Sequence, residues 1–199
     1  MDLIKKHLPI LIAAILGGII GAIVMRNLIP PPAPQSGGGF TFKGGEAQPI
    51  DCKTTEEKMT IAGSSLAGIL KDGQEVKVIK GYYNCKDANR GDVVVYGYAG
   101  GTQPLAKVVK AIPNDKLELK KSGAGWNILV NGAPAKTSGG TPYNISEQGF
   151  RLLSLYIKDY GGVVPGNAHL IMGDEIGGSL DSTRFGLVDK SDFIGKVAR

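Results

Sequence analysis

Histidine is nearly missing from this 199-residue chain: His7 stands close to its start and His169 lies in its last third. A Ser-His-Asp triad or a Cys-His pair needs an imidazole beside the nucleophile. His7 belongs to a basic leader, and His169 precedes the apolar run Leu170-Ile171-Met172, where a structural role is the plainer reading. Cysteine is as scarce, with Cys52 and Cys85 alone. No grouping of Cys, His and carboxylates has structural zinc spacing. Gly-x-Gly-x-x-Gly and P-loop signatures are also missing, which argues against a dinucleotide or triphosphate site. No internal repeat is found, and nothing in the chain calls for a nucleic-acid partner. Among hydrolytic mechanisms, the route left open is a serine whose base is a lysine.

Apolar residues are not spread evenly. After Lys5-Lys6-His7, the 18 residues from Leu8 to Met25 carry no charge, enough to cross most of a ~30 Å hydrocarbon core. The expectation is one retained transmembrane helix over 8–25. A cleaved signal peptide is the rival, but the run exceeds the usual apolar region of about 7–15 residues, and no small-x-small site precedes Ile29-Pro30-Pro31-Pro32. Lys5 and Lys6 before the helix, against Arg26 after it, place residues 1–7 in the cytoplasm and the remainder outside. Gly17-x-x-x-Gly21 would let another helix approach closely, a weak pointer to dimerisation that leaves the oligomeric state open. Residues 26–39 join a proline stretch to a Ser-Gly stretch and read as a linker. Residues 40–199 then form an exported domain large enough to bury its own core. Oxidising surroundings favour a Cys52–Cys85 disulfide, with two free thiols as the alternative, and the bridge would close a loop of about 33 residues.

Within that domain the pattern is mainly β. Alternation over Glu75-Val76-Lys77-Val78-Ile79, then Val93 to Tyr96, Leu105 to Ile112, His169 to Met172 and Ile194 to Val197, predicts short strands. Lys116 to Lys120 and Trp126 to Val130 read as hairpin arms, with the turn Asn131-Gly132 following. Asn144 to Tyr160 breaks the pattern: Phe150, Leu152, Leu153, Leu155, Tyr156 and Ile157 favour an amphipathic helix, with Asn144-x-x-Glu147 as its capping signal and Gly161-Gly162 as its end. The expected fold is a barrel-like set of antiparallel strands with one inserted helix, residues 116–165 forming a variable cap.

The stretch Gly63-Ser64-Ser65-Leu66-Ala67-Gly68 sets a hydroxyl in a small-residue turn that a peptide backbone can approach, although an ordinary turn before a strand would have the same composition. A lysine base must be neutral, so its pKa has to be lowered by burial against apolar walls. Strand parity puts Lys107 on the face of Leu105 and Val109 and turns Lys110 to the other side. Lys107 is the candidate; a solvated surface lysine is the ordinary alternative.

The segments Ser65-Leu66-Ala67-Gly68-Ile69-Leu70-Lys71-Asp72-Gly73, Arg90-Gly91-Asp92-Val93-Val94-Val95-Tyr96, Lys107-Val108-Val109-Lys110-Ala111-Ile112-Pro113-Asn114-Asp115 and Gly173-Asp174 with Ser179-Leu180-Asp181-Ser182 resemble, in order, the four conserved segments of bacterial type I signal peptidases. The resemblance covers nearly the whole exported domain. It implies Ser65 as nucleophile with its own N–H in the oxyanion hole, Lys107 as general base, Ser179 as a hydroxyl orienting the lysine amine, and Gly63 where some relatives carry an assisting serine. It also implies an ion pair between Asp181 and an arginine, here Arg184, one place later than in the family. The family's Met, Pro and Thr after the nucleophile are Leu66, Gly68 and Ile69, and its Asn and Arg after Gly-Asp are Glu175 and Ile176.

The resemblance implies a serine endopeptidase of the bacterial plasma membrane, N-terminus cytoplasmic and catalytic domain on the outer side. It would cleave signal peptides from secretory preproteins with small residues before the cut, without metal or organic cofactor, and with the lipid bilayer as its second partner. Two alternatives stand beside this reading. One is a specialised processing peptidase for a pilin or conjugation precursor; the other is a catalytically inactive, membrane-tethered peptide-binding domain.

Overall fold

A computed structural model describes residues 51–99, 101–176 and 179–198. The leader over 1–7, the transmembrane helix expected over 8–25 and the linker over 26–39 lie outside the described residues. No helix among the described residues is long and apolar enough to cross a membrane.

Alternation in the first part of the domain produces strands whose inward positions are valine and methionine. β1 (Thr55–Thr60) pairs antiparallel with β2 (Glu75–Lys80), where Val76 and Val78 point inward and Glu75 and Lys77 outward. β1 is a sheet edge, and its exposed Glu56, Glu57 and Lys58 pair with Lys77, Lys80 and Glu75 at 3.3, 2.6 and 2.7 Å. Exposed pairs of this kind stabilise by no more than about 1 kcal/mol each. They place charge along the first part of this edge, which blunts pairing there, and leave Met59 and Thr60 at its end uncharged.

β3 (Val93–Tyr96) and β4 (Leu105–Ala111) lose the alternation because both of their faces are covered. One side packs Val93, Val95 and Val108 with Leu66 and Val78; the other packs Val94, Tyr96 and Val109 with Tyr83, Ile171 and Phe193. After β4 the chain leaves this sheet for a second one, β5 (Leu117–Ser122), β6 (Gly125–Val130), β7 (Ala133–Pro134) and β8 (Asn144–Ile145), with β7 and β8 both paired to β6. Asn131 and Gly132 both take positive φ, 53° and 80°, which makes the tight β6–β7 connection.

α1 (Glu147–Asp159) lies against the second sheet through Leu153, which is fully buried with Leu117, Ile128, Ile145 and Leu170. Its cap is not the expected Asn144. Ile145 has to pair with Trp126, which keeps Asn144 in β8 with its side-chain amide donating to Ser122 O at 2.9 Å. Ser146 caps the helix instead, accepting from Gly149 N. The chain returns where it left: Leu117 N donates to Gly162 O at 2.7 Å and Val164 N to Asp115 O at 2.9 Å. Asp115 secures that junction, accepting from both Arg90 Nε and Nη2, from Ile112 N and from Asn131 Nδ2.

β9 (Ala168–Met172), the short α2 (Ser182–Phe185), β10 (Val188–Asp189) and β11 (Phe193–Val197) complete the first sheet, in the order β1-β2-β11-β3-β4-β9-β10 with every pairing antiparallel. Cys52 and Cys85 form a disulfide, Cα atoms 5.5 Å apart, tying the segment before β1 to the 3-10 turn Tyr82–Asn84.

Candidate active site

Two leucines orient the serine turn. Leu66 and Leu70, four residues apart, are both buried in the core beside Val78, Val95 and Val108, and the chain between them coils once, Leu70 N donating to Leu66 O at 2.7 Å. That fixes Ser65 half-buried at the rim of the core, next to its anchor. The turn is pinned at both ends, Ile61 N donating to Gln74 O and Gly73 N to Ile61 O. Gly63 lies on the exposed side with φ 85°, its N–H bound to Asp72 Oδ1 at 2.8 Å.

Lys107 comes from β4, paired with Val94 of β3, and is 3% exposed. Its Nζ lies 2.9 Å from Ser65 Oγ and donates to Ala106 O at 3.1 Å. Burial pushes the ammonium pKa below its ordinary value, against the opposing pull of the Asp181 charge. A lysine that has lost its proton has a lone pair for the serine proton, and 2.9 Å is within reach for that transfer. Lys110 sits where the β4–β9 register shifts, and its Nζ turns away to Lys136 O at 2.8 Å and the Tyr143 ring.

Beside the pair runs a cleft of about 250 Å³ lined by Met59, Ile61, Ser65, Leu66, Val78, Leu105 and Lys107. Its walls are mostly aliphatic, which both dries the lysine and suits small apolar side chains. Among the described residues no group of His, Cys, Asp and Glu could hold a metal ion. His169 is buried against Phe193 with Nδ1 2.9 Å from Asn167 O, and burial lowers its pKa.

Two expected supports are arranged differently. Ser179 is buried, yet its hydroxyl has no hydrogen-bond partner among the described residues; the lysine amine is taken by Ser65 and Ala106. Arg184 does not pair with Asp181. It is exposed, with Nη1 donating to Gln148 Oε1 of α1, while Asp181 accepts from Gly173 N, Thr183 N and Thr183 Oγ1. Asp181 is the N-cap of α2, so the residue two places on, Thr183, faces its carboxylate and Arg184 is carried around to the α1 side.

Sequence reasoning missed the groups that fasten the serine turn from behind. Asp174 N donates to Ser65 O at 2.6 Å, and its carboxylate accepts from Ser138 N at 2.7 Å and from Ser138 Oγ. Tyr143 OH donates to Gly173 O at 2.6 Å, and burial followed by the nearby Asp174 and Asp181 charges raises its pKa. Ser138 lies in Thr137-Ser138-Gly139-Gly140, which has the composition of any surface turn and gives no local signal of this contact.

Comparison with known proteins bears on the same region. Residues 52–199 match the family described as "Signal peptidase, peptidase S26". The chain is 32% identical over 147 residues to signal peptidase IB of Staphylococcus aureus strain COL, across 70% of this chain and 74% of that protein. It is 27% identical over 138 residues to signal peptidase I U of Bacillus subtilis strain 168, across 68% and 70% respectively. Among solved structures, a signal peptidase I from Enterococcus faecalis matches with a TM-score of 0.37 and 18% identity, covering 57% of this chain and 98% of that one.

Proposed function

Since this chain belongs to the peptidase family of type I signal peptidases, we propose that it is a membrane-anchored endopeptidase that removes signal peptides from exported preproteins by a Ser65–Lys107 dyad. The observation that carries the reading is the 2.9 Å approach of a buried lysine amine to a serine hydroxyl at the end of an aliphatic cleft. Ser65 Oγ attacks the scissile carbonyl carbon as its proton passes to Lys107 Nζ, and the carbonyl electron pair moves onto oxygen. The Ser65 N–H would donate to that oxyanion. Collapse breaks the C–N bond, and the Lys107 ammonium returns the proton to the leaving amine. Water then attacks the ester carbonyl carbon as neutral Lys107 takes its proton, and collapse breaks the C–Oγ bond with the Lys107 ammonium returning that proton to Ser65 Oγ.

The substrate would lie as an extended strand along the edge that β1 forms among the described residues, with side chains before the cut entering the cleft beside Met59, Ile61 and Leu66. Residues 8–25 would anchor the enzyme, with residues 26–39 as a tether and the domain from residue 40 onward acting at the outer face. The test is cleavage of a preprotein carrying an Ala-x-Ala site by the full chain in detergent, with sequencing of the new N-terminus. Cleavage after that site by wild type and none by Ser65→Ala is expected. No cleavage by wild type across varied preproteins would instead favour a peptide-binding domain.

A further inference from the structure

We propose that Ser138, in the loop between β7 and β8 and outside the four family-like segments, is a positioning residue that sets the conformation of the nucleophile turn through Asp174. The inference rests on Ser65 being the nucleophile. Ser138 joins two elements that the chain supplies separately. Its N–H and hydroxyl both donate to the Asp174 carboxylate, and its Oγ also lies 3.2 Å from Gly68 O, inside the serine turn. Asp174 in turn holds Ser65 by its own amide, 2.6 Å from Ser65 O. Ser138 therefore touches the turn directly at Gly68 and indirectly at Ser65.

Gly68 shows how tightly this assembly closes. A Cβ there would stand 2.2 Å from Asp174 Oδ2 and 2.5 Å from Ser138 Oγ. Only a glycine lets the Ser138–Asp174 pair sit on the turn, so Gly68 and Ser138 fit each other. The loop is itself a fixed frame: Thr137 N donates to Thr141 O at 2.9 Å, Gly140 N to Thr137 O at 3.0 Å, and Lys136 bridges Pro142. Tyr143, at the loop's far end, holds Gly173 O. The second sheet is thus fastened to both residues of Gly173-Asp174, and the carbonyl of Ser65 is fixed as a result. A displacement of the nucleophile by about 1 Å can cost up to about 100-fold in rate, so this contact bears on turnover.

The test uses the full chain in detergent and a preprotein with an Ala-x-Ala site, measuring kcat, KM and Tm for Ser138→Ala, Ser138→Thr, Gly68→Ala, Gly68→Ala/Ser138→Ala and Ser65→Ala. Ser138 is exposed, so Ser138→Ala is expected to fold with Tm nearly unchanged. Its kcat should fall about 10- to 100-fold with KM within about twofold, and Ser138→Thr, which keeps both donors, should restore kcat. The double variant should be no slower than Gly68→Ala alone, since both changes break one assembly. Wild-type kcat in Ser138→Ala, failure of threonine to restore it, or additive losses in the double variant would overturn the proposal. Cleavage by Ser65→Ala at the wild-type rate would instead overturn the nucleophile assignment.

Discussion

Lys107 Nζ stands 2.9 Å from Ser65 Oγ across 42 residues of sequence. The first prediction separates this lysine from its neighbour in β4. Lys107→Met keeps the apolar length and removes the amine, so preprotein cleavage should fall by at least about 10³-fold, as for other nucleophile–base pairs acting as a unit. Lys110→Met breaks contacts directed away from the serine, to Lys136 O and the Tyr143 ring, so its rate should stay within about threefold of wild type. Equal losses in the two variants would argue against Lys107 as base.

The second prediction concerns pH. Burial lowers the folded-state pKa of Lys107 below 10.5, with Asp181 opposing. Cleavage should therefore rise with pH through that lowered value as the ammonium deprotonates. Stability follows the same sign. Between the lowered pKa and 10.5 the unfolded chain holds a proton that the folded chain has released, so unfolding becomes harder as pH rises through that window. Below the lowered pKa the folded state carries a buried ammonium at a cost. Tm measured against pH for wild type and Lys107→Met should show wild type gaining on the variant as pH rises; a constant difference would contradict a buried, titrating lysine.

What the sequence made legible follows from how local each cause is. Alternation in Glu75–Lys80 and the Asn131-Gly132 turn are short-range, and strand parity separated Lys107 from Lys110, an outcome the register shift at Lys110 leaves intact. The helix cap was misplaced by two residues because Asn144 is claimed by a strand partner 17 or more residues away, which no local pattern records. Ser138 and Asp174 meet across 36 residues, between a generic turn and a recognisable segment, and only the fold brings them together. The arginine slip at Arg184 was visible; that Thr183 would take over the carboxylate was not, because it depends on Asp181 capping α2.

Thr183 and Arg184 give the third prediction. Thr183 Oγ1 donates to Asp181 Oδ1 at 2.7 Å, and Asp181 is 3% exposed, so Thr183→Val should lower stability by about 1–2 kcal/mol. Arg184→Ala removes a surface contact to Gln148 and should change stability by less than about 0.5 kcal/mol. Denaturant unfolding of the two variants distinguishes them, and a larger loss for Arg184→Ala would mean that the arginine does support Asp181.

The last prediction concerns the edge of the substrate cleft. Met59 and Thr60 of β1 line that cleft, and among the described residues β1 pairs with a single neighbour, β2. Its start is held by the Cys52–Cys85 disulfide and by Asn84 Nδ2 donating to Asp51 O at 2.9 Å. The disulfide closes 33 residues that include all of β1, the serine turn and β2, so the chain-entropy model gives about 3–4 kcal/mol of stabilisation. Cys52→Ser/Cys85→Ser should therefore lower the unfolding free energy by about that amount. Because β2, Leu66 and Leu70 have core contacts of their own, the folded double variant should retain Ser65-dependent cleavage at low temperature, with the loss concentrated in KM as the loosened edge strand receives substrate less well. Unfolding in denaturant with and without reductant gives the first quantity, and steady-state cleavage at low temperature gives the second. An unchanged unfolding free energy would show that β1 is held by its β2 pairing alone, and a kcat loss with KM untouched would show that the bridge supports the serine turn and not the substrate edge.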